Sequence, residues 1–326
     1  MPSAGAQVTT ETWDARWTLS MRKNRGDLSD LVFDEYPVLG ALKQRDKVII
    51  EDGGKEFQED VMTAKNSGTW FKGYDSVNQA AVDGITAAFF PPTYFSVPVT
   101  ISLTEETEQD GKKLINSKQK QSMMTVRDSV SAAMFGSAGS KEMLGFQDII
   151  ADSPTTGTVG GLDRALITGW RNQVDTTGTV FLTQTSANVF NGWDLVTQVY
   201  NNCSSGNDSP DMMVTPLDIM SDIETSRMGA GYTTLVDGGS STNRLGSVDD
   251  PRYKKAVIFA DRDTLADHIY FLNTKYISLR IMKNLNFAKT PFNSPTDQHA
   301  KVGHVVFGGQ LTTNNPRRLG VITAMT

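Results

Sequence analysis

The stretch GTVGGLDRALITGW, Gly157 to Trp170, sets three glycines within five positions, a density that could cradle a phosphate on backbone amides. A P-loop needs a lysine and a hydroxyl directly after its last glycine, because amides alone leave the outer phosphates poorly neutralised. Here Leu162 and Asp163 follow Gly161, and a carboxylate at that place repels the ligand. A second cluster, GSAGSKEM from Gly136 to Met143, brings Lys141 one position late with a glutamate behind it. No strand is followed by G-x-G-x-x-G. Both clusters therefore predict structural turns, and Gly157, Gly160, Gly161 and Arg164 become candidate connector residues.

Other chemistry fares no better. His268, His299 and His304 have no carboxylate at helical ligand spacing, and the last two lie five apart in a strand-like segment, on opposite faces. Cys203, the one cysteine, sits between Asn202 and Ser204 with no sign of a base, and G-x-S-x-G is absent. The pairs Glu105–Glu106 and Asp249–Asp250 fall in polar runs that read as solvated faces. No catalytic, cofactor or metal site is expected, and no enzyme.

Composition bounds the remaining classes. The chain has 326 residues, 21% charged and 38% hydrophobic, which is a folded composition large enough for two bodies. No run approaches the roughly 20 apolar residues that span a bilayer, and the N-terminus lacks the basic and apolar regions of a signal peptide. A net charge of −6, with basic clusters only at Arg22, Lys23, Arg25 and at Arg317, Arg318, argues against a protein that grips DNA by neutralising phosphates. A surface that merely faces DNA is compatible with it.

The elements come next. Residues 1–27 are polar and without period, yet carry Trp13 and Trp17; an arm with two indoles either docks on another surface or folds back on its own chain. LSDLVFDEYPVLGAL reads as helix interrupted near Pro37. From Lys47 to Leu103 the chain is rich in aromatic and β-branched residues: KVIIEDGGKEF predicts a strand and hairpin turn, and Pro91, Pro92 and Pro98 confine later strands to edges. A two-stranded flap bearing Trp70, Phe71, Tyr74, Phe89, Phe90, Tyr94 and Phe95 cannot bury those side chains on itself, so it needs partners.

A long helix follows, with Ile115, Met123, Val126, Val130 and Ala133 or Met134 at rough helical spacing and Gly136 and Gly139 as its stop. Val189, Trp193, Val196 and Tyr200 share one face of a further helix. NDSPDMMVTPLDIMSDIE reads as turn, buried strand and helix, with Thr215 as cap, Pro216 at the first position and Asp218 completing a capping box. KKAVIF gives another strand, HIYFLNTKYISLRI a pair joined at Asn273 and Thr274. The C-terminal segment gives a long strand, a turn at Asn314 to Pro316 and a returning strand.

Arm, aromatic flap, long helix, glycine-rich connector, α/β region and terminal strands, in that order, resemble the major capsid protein of tailed bacteriophages, the HK97 fold. GFQDIIADSPTTGTVGGLDRALITGWRNQV is similar to a connector in one branch of that family; SPDMMVTPLDIMSDIE and HIYFLNTKYISLR resemble its central domain. The resemblance implies an α+β fold with an N-arm at 1–48 and an extended β-hairpin E-loop at 49–103. It implies a peripheral domain at 104–186 and 283–314 with a spine helix about 107–136, and an axial domain at 187–282 and 315–326. It implies pentamers and hexamers closing an icosahedral virion shell, assembled in the host bacterial cytoplasm. Its partners would be a separate scaffolding protein, a portal, decoration proteins and non-specifically contacted double-stranded DNA, with no membrane. Trp13, Trp17 and the seven flap aromatics would then contact neighbours. Lys65, Lys72, Asn66 and Asn78 match no crosslinking motif, so no covalent join is expected. Encapsulins, bacterial compartment shells of the same fold, are the alternative.

Overall fold

Two sheets divide most of the strand-forming segments between them. The computed structural model describes residues 36–65, 68–76, 83–102, 111–139, 141–178, 180–183, 191–229, 252–296 and 299–325. The first sheet has five strands: β1 (Val48–Glu51), β4 (Thr93–Ser102), β12 (Ile277–Met282), β13 (Ala288–Lys289) and β14 (Ala300–Thr313). β14 is its spine, pairing antiparallel with all ten residues of β4 on one side and with β12 and β13 on the other. β4 carries Pro98 and forms the sheet's edge, as a residue without an N–H requires.

β2 (Phe57–Met62) and β3 (Ile85–Phe90) leave this sheet as an antiparallel hairpin of their own. α1 (Pro37–Gln44) precedes β1 and buries Val38, Leu39 and Leu42. α2 (Gly111–Phe135) lies against β4 and buries Ile115, Val126, Val130, Met134 and Phe135. Its 25 residues make a rod of roughly 37 Å. Residues 107–110 and the Met123 side chain fall outside the described residues. After a short α3 (Phe146–Ile149), strands β5 (Thr158–Val159) and β6 (Leu162–Asp163) form a tight hairpin.

The second sheet has six strands in the order β7 (Gln173–Asp175), β15 (Gly320–Ile322), β11 (Ile269–Leu272), β8 (Met212–Thr215), β10 (Ala256–Ala260) and β9 (Arg252–Tyr253). Its central strands are covered on both faces, and every residue of β8 and β11 is buried. Met213, Phe271 and Ile258 pack with Val196, Tyr200 and Ile223 of α4 (Asn191–Cys203) and α5 (Leu217–Gly229). The alternate residues Met212, Val214, Tyr270 and Leu272 join α1, α2 and the first sheet in one continuous core. Trp193 ties α4 to α5 through Nε1, which donates to Ser226 Oγ at 2.9 Å.

Several sequence expectations are corrected. β1 and β2 are not a hairpin across Asp52–Gly54: β1 runs parallel to β12, while β2 pairs with β3. β11 and β12 are not a pair either. Each enters a different sheet, and the crossing between them is pinned by Asn273 Nδ2 donating to Asp208 Oδ1 at 3.0 Å and by Thr274 N donating to Asp211 Oδ1 at 2.9 Å. After β14 a 3₁₀ turn at Pro316–Arg318 sends β15 to β11 and β7 instead of back along β14. Thr215 does not cap α5 with its side chain; its hydroxyl is buried and makes no hydrogen bond among the described residues. For the strands, the partner is remote in sequence, and local spacing carries no record of it. By strand pairing, residues 277–282 belong to the five-stranded sheet and residues 173–175 to the six-stranded one.

Candidate assembly surface

Period two gives the β2–β3 hairpin two faces. The pairs Phe57–Phe90, Glu59–Ala88 and Val61–Thr86 face the body, where Phe57, Val61, Ala88 and Phe90 are buried. The pairs Gln58–Phe89, Asp60–Ala87 and Met62–Ile85 face outward. There Met62 is 71%, Ile85 72% and Phe89 45% exposed. Beyond them the tip holds Trp70, Phe71 and Tyr74, of which Trp70 and Tyr74 are fully exposed and Phe71 is 63% exposed.

The base of this projection is clamped. Arg280 of β12 donates from Nη1 to Glu51 Oε1 and from Nη2 to Glu59 Oε1, the latter at 2.6 Å, and Thr312 Oγ1 donates to the same Glu59 oxygen at 2.9 Å. These groups are largely shielded, so the charge-assisted bonds fix the hairpin's exit direction better than a surface pair would. By contrast the exposed Lys283–Asp52 pair contributes little. No short-range pattern announces this clamp, because Glu59 lies more than two hundred residues from both Arg280 and Thr312 in sequence.

The glycine-rich connector holds the other side of the base. Gly157, Gly160 and Gly161 all take positive φ, and Gly160–Gly161 form the two-residue turn between β5 and β6. Gly160 is also a close-approach position: a Cβ there would lie 2.9 Å from Ala88 Cβ and from Phe90 Cζ, while its carbonyl accepts from Phe89 N at 2.9 Å. Trp170 Nε1 donates to Val159 O at 3.1 Å. Arg164 is buried, with Nη2 donating to Asp148 O at 2.8 Å, and burial lowers its pKa although Asp148 opposes the shift. The loop is a turn that braces the hairpin through Gly160, which abuts Ala88 and Phe90.

The nine aromatics singled out from sequence thus separate. Trp70, Phe71 and Tyr74 gather at the tip and Phe89 sits on the outer face. Tyr94, 59% exposed, lies on β4 instead of the hairpin. Phe90 is corrected to an interior residue, since register turns it inward opposite Phe57, and Phe95 is half-buried against the core. Trp13 and Trp17 lie outside the described residues. Met62 and Ile85 were missed; alternation within FQEDVM and ITAAFF is the signal that could have found them.

The hairpin and its tip expose large apolar side chains. Among the described residues no three His, Cys, Asp or Glu side chains cluster as metal ligands, and Cys203 is buried with its thiol pKa pushed up to about 12 by burial. What the arrangement offers is apolar area on a braced support.

No family model matches the chain and no curated protein matches its sequence. Solved structures do. A subunit of the cyanophage A-1(L) capsid superimposes with a TM-score of 0.63 at 14% identity, covering 86% of this chain and 90% of that one. The capsid of a native GTA particle gives 0.60 at 9% identity, covering 86% and 89%. The SrpI encapsulin of Synechococcus elongatus gives 0.55 at 8% identity, covering 87% and 86%. Across nearly its whole length, this α+β chain has the HK97-like fold of phage capsid and encapsulin shell subunits.

Proposed function

We propose that this chain is the major capsid protein of a tailed double-stranded-DNA bacteriophage, assembling as pentamers and hexamers into an icosahedral shell around the genome. The observation that carries the reading is the braced hairpin with an unburied aromatic tip, on a subunit whose fold is that of shell proteins. Burying three aromatic side chains of about 150–250 Å² each, at about 25 cal/mol per Å², gives on the order of 10 kcal/mol before ordering costs. Repeated around every neighbour, that gain closes a shell without any single strong site.

In this reading residues 1–48 are the arm, and the flap expected at 49–103 projects as β2–β3 with its tip. The five-stranded sheet with α2 is the peripheral domain that meets neighbouring capsomers, and the six-stranded sheet with α4 and α5 is the axial domain at capsomer centres. The net charge of −6 suits an inner surface that faces packaged DNA without gripping it. Scaffolding, portal and decoration proteins complete the assembly in the host cytoplasm, and the chain performs no catalysis.

Electron microscopy of the expressed full chain tests this. Closed particles or capsomers are expected, and replacing residues 64–83 by Asn-Gly, a turn that suits the remaining strands, should leave soluble subunits that do not close. Closed particles from that variant, or a wild-type chain that stays monomeric, would overturn the reading. An encapsulin-like compartment is the second reading, favoured by the comparable coverage of the SrpI structure. Particles purified with a bound enzyme cargo, from a locus without terminase and portal genes, would select it.

A further inference from the structure

A cleft of about 430 Å³ opens between the last turns of α2 and strands β4 and β14, lined by Tyr94, Phe95, Val130, Ala133, Met143 and Phe307. That volume lies within the 300–1,000 Å³ typical of ligand pockets, and the lining is mainly apolar. Nothing among the described residues fills it.

The place where the chain enters the described body identifies an occupant. Tyr36, its first described residue, donates from its hydroxyl to Asp128 Oδ1 at 2.7 Å. Asp128 stands one helical turn before Ala132, which lines the same cleft. Residues 1–35 therefore join the body at the rim. They carry two indoles, Trp13 and Trp17, four positions apart and so able to share one face.

Reach is sufficient. The 19 residues from Trp17 to Tyr36 have a coil dimension of roughly 24 Å, whereas the cleft-lining residues of α2, Ser129 to Ala133, lie within about 8 Å of Asp128 along the helix. A short tether also holds its cargo at roughly millimolar effective concentration, so a weak intrinsic contact is well populated.

We infer that the cleft between α2 and β4 is the docking site of this chain's own N-terminal segment, filled by Trp13 and Trp17. The inference is independent of the shell reading, because it concerns a contact within one subunit and is read on the cleft and the arm, not on particle formation.

The test is tryptic cleavage of the full chain at Arg22, Lys23 and Arg25, with sedimentation recording its association state and hydrogen exchange reading residues 129–143. Trp13 and Trp17 are outside the described residues; Ala132→Arg plugs the cleft from an exposed helix position. W13A/W17A and A132R should each raise arm cleavage about tenfold, in step with the undocked fraction. W13A/W17A should also deprotect residues 129–143 while leaving β8 and β11 protected. Cleavage that A132R leaves unchanged overturns the inference. So does cleavage that accelerates when the wild type is diluted, which would put the arm on another copy. Exchange at 129–143 that responds to W70A/F71A but not to W13A/W17A would give the cleft to a neighbour's hairpin tip, and overturns it as well.

Discussion

Strand β11, IYFL, and the hairpin tip with Trp70, Phe71 and Tyr74 are both strongly apolar, yet their fates are opposite. Every side chain of β11 is buried inside the subunit between two helix-bearing layers, whereas the tip's aromatics stand in solvent on a clamped stalk. The difference is one of completion. The six-stranded sheet satisfies its apolar surface with its own chain, while the hairpin leaves its outer face and tip uncovered. Residue type alone does not separate these cases; the number of covering layers does.

The self-sufficient side should fail when its packing is broken. Phe271 is fully buried among the residues of α4 and α5, so Phe271→Ala is expected to destabilise the subunit by about 3–5 kcal/mol, read by denaturant unfolding. A loss below about 1 kcal/mol would mean that this sheet is not the subunit's stabilising centre.

That contrast explains what the sequence revealed and what it concealed. Period and composition locate α2, α4, the buried strand β8 and the aromatic flap, because each is a local pattern of apolar spacing. They place Phe90 outside, because register alone decides which face of β3 it takes. They join β11 to β12 and β14 to β15 as hairpins, because nothing near Asn273 or Asn314 states that the next strand belongs to another sheet. At Asn273 that information comes from Asp208 and Asp211, some sixty residues away, through hydrogen bonds. The connector was legible as a turn from its glycines, but its role under the hairpin rests on Phe90 and Ala88 and was not.

Between the two regions lies that connector, and Gly160 measures how far the hairpin depends on it. An alanine there would hold φ near +58° and push its Cβ to 2.9 Å from Phe90 and Ala88. Gly160→Ala should cost about 1–3 kcal/mol and loosen the hairpin base first, seen as faster hydrogen exchange at Phe89. Uniform destabilisation with Phe89 still protected would detach the strut from the hairpin.

A smaller effect sharpens the comparison from the other direction, since even the completed region has a flaw. Asp261, just after β10, is 3% exposed and its Oδ2 has no hydrogen-bond partner among the described residues. Burial raises its pKa, with the neighbouring Asp263 charge adding to the shift, while the hydrogen bond from Asp263 N and the Arg262 charge oppose it. A carboxylate whose folded pKa exceeds its unfolded value, about 3.9, binds more protons folded than unfolded, so its share of stability falls as pH rises above that value. Asp261→Asn keeps Oδ1 as acceptor for Asp263 N and removes the charge. It should gain about 1 kcal/mol at pH 7 and show a shallower decline of stability from pH 4 upward. A variant less stable than wild type at pH 7 would show that the ionised form is paired.

The smallest expected change in the subunit is at the tip. Trp70→Ala with Phe71→Ala removes two aromatic side chains that touch little of their own chain, so subunit stability should stay within about 0.5 kcal/mol of wild type. The same pair should raise the concentration needed for assembly by at least tenfold, because the apolar area they would bury between copies is lost. Measured together by thermal unfolding and sedimentation, the two quantities separate the regions directly. If unfolding shifts as much as assembly does, the tip belongs to the subunit's own core, and the contrast with β11 disappears.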